Sequence, residues 1–113
     1  MEKYIPQKEE ELVEKMKENN FKGNYYIKDK LICWNIHPEV EIKIVLNNNG
    51  EEVYIQFPNG THEHVSNDEV WEYLCSLNKE GGVIVIKNGL FKKKKTIYFT
   101  KNIKISKGNI IYF

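Results

Sequence analysis

Apolar residues in this chain recur at helical spacing in two segments and alternate with polar ones through most of the rest. The first helical segment runs from about Pro6 to Asn20. Its stripe is narrow, Leu12, Val13 and Met16, continued by Phe21. Pro6 suits a first helical position, and Glu9, Glu10 and Glu11 favour the positive end of a helix dipole. Glu11 and Lys15 have the favourable i,i+4 order, and Gly23 is the expected stop. The second segment runs from Asn67 to about Asn78, with Val70, Trp71, Leu74, Cys75 and Leu77 forming a broader face. Ser66 and Glu69 have capping-box spacing, Val65 and Val70 flank them as a staple, and Gly81-Gly82 ends the run.

Strand patterns fill the intervals. Asn24–Lys28 and Leu31–Ile36 are separated by Asp29-Lys30, and His37-Pro38 breaks the second. Val40–Leu46 and Glu51–Phe57 flank Asn47-Asn48-Asn49-Gly50. A type I′ turn at Asn49-Gly50 would set Leu46 opposite Val53, Ile44 opposite Ile55 and Ile42 opposite Phe57, all six on one face. The last third carries Val83–Lys87, Leu90 to about Thr100, Ile103–Ser106 and Ile110–Phe113, expected to form a three-stranded meander. The pattern predicts one α+β domain over residues 1–113, in the order α-ββββ-α-βββ. A largely antiparallel sheet of about six or seven strands would carry two helices packed on one face.

Length and composition narrow the class. At 113 residues, 41% hydrophobic and 12% aromatic, the chain can bury one core, so wholesale disorder is excluded. No apolar run approaches the roughly 20 residues that span a bilayer, so no membrane partner is expected. Met1 to Pro6 lack the pattern of a secretory signal, and a cytoplasmic protein is the expectation. Cys33 and Cys75 sit among apolar neighbours and are expected to be buried thiols. Arginine and alanine are absent while Lys, Ile and Asn abound, a usage typical of AT-rich bacterial and phage genomes. Without arginine, any anion must be met by lysine as a point charge.

Charge divides the chain. Every carboxylate lies at or before Glu80, where nine lysines face sixteen acids; the remaining residues carry eight lysines and no acid. On a strand, Lys92, Lys94, Thr96, Tyr98 and Thr100 would share one face. Phe91, Lys93, Lys95, Ile97 and Phe99 would share the other. Two buried ammonium groups would lack partners, so the strand must overhang the core at Lys93 and Lys95 or be re-phased there by a bulge. The lysine row reads as an adhesive surface, as protection of an edge strand, or as a patch neutralised by the acidic first helix.

Candidate chemistry is sparse. His62 and His64 would share a face of an extended segment. The spacing His62-x-His64-x4-Glu69 is similar to the first metal motif of the cupins. The upstream glycine and the second histidine motif are missing, and the match is read as chance. His37 has nothing in the sequence that brings it to the other two. There is no phosphate loop, GxSxG or HExxH, so no catalytic residue, metal or cofactor is expected. The leading expectation is a small non-catalytic module that docks on another protein, of the inhibitor, immunity or phage counter-defence type. Its basic surface would be Lys92, Lys94, Tyr98 and Lys104, and its acidic one Glu10, Glu11, Glu14 and Glu18. Nucleic-acid binding by the lysine-rich sheet is the alternative, and a small enzyme or metal protein using His62 and His64 a second.

Overall fold

The computed structural model describes residues 4–46, 51–101, 104 and 109–113. Helix α1 spans Glu9–Glu18 and strands β1 to β5 span Asn24–Lys28, Leu31–His37, Val40–Val45, Glu52–Gln56 and His62–Ser66. Helix α2 (Val70–Glu80) follows, then β6 (Val83–Asn88), β7 (Lys93–Tyr98) and β8 (Asn109–Tyr112). The domain is α+β, with every strand pair antiparallel and both helices on one face. The strands divide into a five-stranded sheet, in sequence order β1 to β5, and a three-stranded sheet ordered β7-β6-β8.

Local chemistry explains most of these elements. Asp29 and Lys30 both adopt positive φ, 52° and 63°, as the type I′ turn between β1 and β2 requires. The β3–β4 register places Ile44 opposite Ile55, as the alternation demands; the turn proposed for Asn47–Gly50 lies outside the described residues. Helix α1 is shorter than its sequence pattern predicts and ends without Gly23. Asn20, at φ 55°, takes the left-handed position, Phe21 N–H donates to the Met16 carbonyl, and Asn20 N–H donates to that of Lys17. That is a Schellman ending, and both Phe21 and Met16 are buried in the core.

Two expectations near α2 are corrected. His62–Ser66 is a fifth strand of the first sheet, with Val53 opposite Val65 and Glu52 opposite Ser66. Pairing holds the chain extended through Ser66, so the expected capping box does not form. The Ser66 hydroxyl donates to Asp68 instead, and the helix starts at Val70. Its stop is as expected: Gly81, at φ 62°, donates to the Leu77 carbonyl.

The core lies between the helices and the inner faces of both sheets. Trp34, Leu12, Met16, Ile32, Ile42, Ile44, Ile55 and Leu74 are fully buried there, each stabilising the fold by roughly 1.5–3 kcal/mol. Phe21 stacks on Trp71 at 5.2 Å and also meets Trp34 at 5.3 Å, tying α1 and α2 to β2. The Trp34 indole N–H donates to the Lys22 carbonyl, which leaves the ring's one polar atom satisfied. The second sheet joins through Ile84, and through Phe99, which touches Phe57 at 4.7 Å and Phe113 at 5.6 Å.

Beyond that seam the β6–β7 hairpin runs clear of the core. Its ladder is continuous from Val83–Tyr98 to Asn88–Lys93, so no bulge re-phases the lysines and the strand overhangs. Lys95 is held by Glu39 of the β2–β3 turn at 3.6 Å, while Lys93 reaches water. A radius of gyration of 15.4 Å, against about 13 Å for a globular chain of this length, and a longest extent of 49 Å fit this projecting hairpin.

Candidate docking surface

The outer face of the second sheet is built from all three of its strands. Pairing aligns Tyr98, Val83 and Tyr112 in one row across the sheet, and Thr96, Val85 and Ile110 in the next. Lys94 and Lys87 follow as opposed neighbours on β7 and β6. Val83 and Val85, on the central strand, are buried, whereas Tyr98, Ile110 and Tyr112 remain 41%, 39% and 62% exposed. The result is an aromatic and aliphatic patch with a lysine margin.

That margin carries an electrostatic strain. Like charges directly opposite across two strands destabilise a sheet. Among the described residues, neither Lys87 nor Lys94 has an ion-pair partner that relieves it. Lys92, just before β7, is exposed as well. Lys104 is also exposed, and its neighbours in sequence lie outside the described residues, as does most of the strand expected at Ile103–Ser106.

Helix α1 does not cover this row. It packs against β1 and β2, and among the described residues its carboxylates make no ion pair with β7. Its buried stripe is Leu12, Val13 and Met16, which turns Glu10, Glu11, Glu14 and Glu18 together toward solvent. A crevice of about 330 Å³ runs along that acidic stripe, lined by Tyr4, Glu11, Glu14, Lys15 and Glu18. Lys15 lies over the rings of Tyr4 and Trp71 at 4.4 and 4.9 Å. Burial, with the Glu11 carboxylate beside it, pushes the Tyr4 phenol up to about 12. Among the described residues the two charged surfaces are therefore separate, and no ion pair joins them.

The histidines fall on the outer face of the five-stranded sheet. The rings of His62 and His64 lie 4.9 Å apart, His64 Nδ1 contacts Glu52 at 3.0 Å, and Tyr54 packs edge-on against His64 at 4.4 Å. His37 is elsewhere, at the end of β2 against Phe113. Among the described residues, no group of three or more His, Cys, Asp or Glu is placed to hold a metal ion. Cys33 is buried, but Cys75 is only half-buried, contrary to expectation; burial raises its thiol pKa, with Lys15 opposing the shift.

Ile110 and Tyr112 were not legible as part of this surface, because a meander would place β8 beside a preceding C-terminal strand. The signal lay in Val83-Ile84-Val85-Ile86, an unbroken apolar run of the kind that marks a strand covered on both faces. No family model matches the chain, and neither a curated protein nor a solved structure is found to be similar to it.

Proposed function

We propose that this chain is a non-catalytic docking protein that binds an acidic protein partner through the outer face of β7-β6-β8, in the manner of an inhibitor, immunity or counter-defence protein. One observation carries the reading: Tyr98 on β7 and Ile110 and Tyr112 on β8 are exposed on the same face of the sheet, next to the opposed lysines Lys87 and Lys94, which have no ion-pair partner among the described residues. Interfaces favour that anatomy, in which aromatic side chains supply buried anchors and a charged rim supplies orientation and association rate. Lys92, and Lys104 farther along the chain, extend the positive field that would steer an acidic partner. The acidic stripe of α1, Glu10, Glu11, Glu14 and Glu18, is a second contact surface of opposite sign.

Photo-crosslinking in the source cell tests the reading. A benzophenone side chain at Tyr98 or Tyr112 is expected to trap one protein of acidic composition, which the same probe at Lys43 on the other sheet does not trap. Adducts that form equally from all three positions, or only with nucleic acid, would count against the surface.

A further inference from the structure

The apex of the β6–β7 hairpin belongs neither to that face nor to the core. The chain reverses through Gly89, Leu90, Phe91 and Lys92, with Gly89 N–H donating to the Lys92 carbonyl at 2.9 Å. Leu90 is 91% and Phe91 94% exposed, so two adjacent large apolar side chains stand in water at the far end of a projecting arm. They line an open groove together with Lys92 to Lys95.

Lysines ring the neck directly behind them. Lys87 and Lys94 lie on one side of the hairpin and Lys93 and Lys95 on the other, with Lys92 exposed at the turn; among the described residues only Lys95 of these is tied to a carboxylate. No acid occurs in the sequence after Glu80. A nucleic-acid duplex or a flat protein surface would engage one side of such an arm and leave the other lysines idle. A fluid layer of anionic headgroups surrounds the arm and meets both sides. The dimensions agree: Lys92 to Lys95 occupy about 10 Å of strand behind the apex, and flexible lysine stems span the roughly 5–7 Å of headgroup region per leaflet.

We propose that the hairpin docks apex-first on an anionic lipid bilayer, with Leu90 and Phe91 entering the acyl boundary and Lys87, Lys92, Lys93 and Lys94 contacting headgroups. Such a peripheral contact needs no spanning segment, so the missing long apolar run does not bear on it. Two apolar side chains alone make a weak anchor. Each lysine near an anionic surface adds about five-fold in partitioning, which makes the pair sufficient. Tyr98 lies about 17 Å along β7 from Lys93, so the aromatic anchors of the protein-docking face stand clear of the bilayer, while Lys87, Lys92 and Lys94 lie between the two contacts and are shared by them.

Co-sedimentation of the full chain with vesicles tests this. It is expected to bind phosphatidylcholine vesicles containing 30 mol% phosphatidylserine (roughly the anionic content that gives a cytoplasmic leaflet its surface potential), and not phosphatidylcholine alone. Leu90→Ser with Phe91→Ser should lower partitioning by more than about ten-fold, and Lys93→Glu by at least about five-fold. Both variants should keep the wild-type circular dichroism and melting temperature, since these side chains are exposed. A Phe91→Trp variant should shift its emission to the blue on anionic vesicles alone. Absence of binding to anionic vesicles would overturn the proposal, as would binding that ignores the loss of Leu90 and Phe91, or retention by duplex DNA in place of vesicles. Lys93 faces away from the Tyr98 and Tyr112 patch, so its variant separates a failure here from a failure of the protein-docking reading.

Discussion

Replacing Gly81 with alanine tests how the second sheet is fixed to the rest of the molecule. Gly81 ends α2 at φ 62° and ψ −133°, a conformation that L-residues adopt only under strain. A Cβ there would overlap the carbonyl group of Phe113, which the neighbouring Gly82 clasps through reciprocal backbone hydrogen bonds of 2.9 Å. The obstacle is backbone, so relief requires moving the end of β8 away from the helix. Strain at this positive φ costs about 1–3 kcal/mol, which the stiffer unfolded chain offsets by about 0.4–1 kcal/mol. Forced displacement of packed structure adds about 2 kcal/mol. Gly81→Ala should therefore lose roughly 3 kcal/mol, a fall in Tm of roughly 12 °C at about 4 °C per kcal/mol. Gly60 provides the control, because its φ is 87° but a Cβ there meets nothing within 4 Å. Gly60→Ala should lose only about 1 kcal/mol. Urea unfolding followed by the fluorescence of Trp34 and Trp71 measures both. Equal losses for the two variants would refute the claim that the Phe113 contact, rather than φ alone, demands glycine at position 81.

Other outcomes follow from the same structure. Leu74→Ala empties a fully buried site on α2 and should cost about 2–5 kcal/mol by urea unfolding. Asn20→Val forces a β-branched residue into the left-handed end of α1 and should cost about 1–2 kcal/mol, visible as a lower melting temperature. The Tyr4 phenol keeps its proton in the folded state up to about pH 12, against 10.0 when unfolded. Stability is therefore expected to fall as pH rises through that window, where the unfolded chain loses the proton first, and Tyr4→Phe should flatten the decline in a thermal-melt series. If the lysine row serves a protein partner, single- and double-stranded nucleic acid should show no retardation by the chain at 50 mM salt, and a strong shift would favour the nucleic-acid alternative.

Legibility differed between elements for physical reasons. The β3–β4 register was readable because six apolar positions on one face admit a single pairing, and Ile44 opposite Ile55 follows from it. Strand β5 was not, because His62, Glu63 and His64 carry no apolar alternation and only Val65 faces the core. That omission also made Ser66 resemble a helix cap, although its backbone already belongs to the sheet. Of the expected row, Lys94, Thr96 and Tyr98 share one face of β7, since alternation along a strand is local, while Lys92 precedes the strand and Thr100 follows it. Its neighbours Ile110 and Tyr112 come from a strand that pairs with β6 across a long sequence interval, and local pattern carries no information about such a partner. The exposure of Leu90 and Phe91 was likewise hidden: apolar residues beside a turn read as strand until the core is seen to end short of them.

If a protein partner docks on the outer face of β7-β6-β8, removing the aromatic side chains there must weaken the complex. Affinity of the trapped partner, purified, for wild type and for a Tyr98→Ala, Tyr112→Ala double variant measures it most directly, with Lys94→Glu examined across a salt series. Loss of two aromatic anchors at about 1–2 kcal/mol each predicts a weakening of at least about thirty-fold. Lys94→Glu should chiefly slow association, with the difference shrinking as salt rises. Unchanged affinity in the double variant, with both variants folded, would contradict the account.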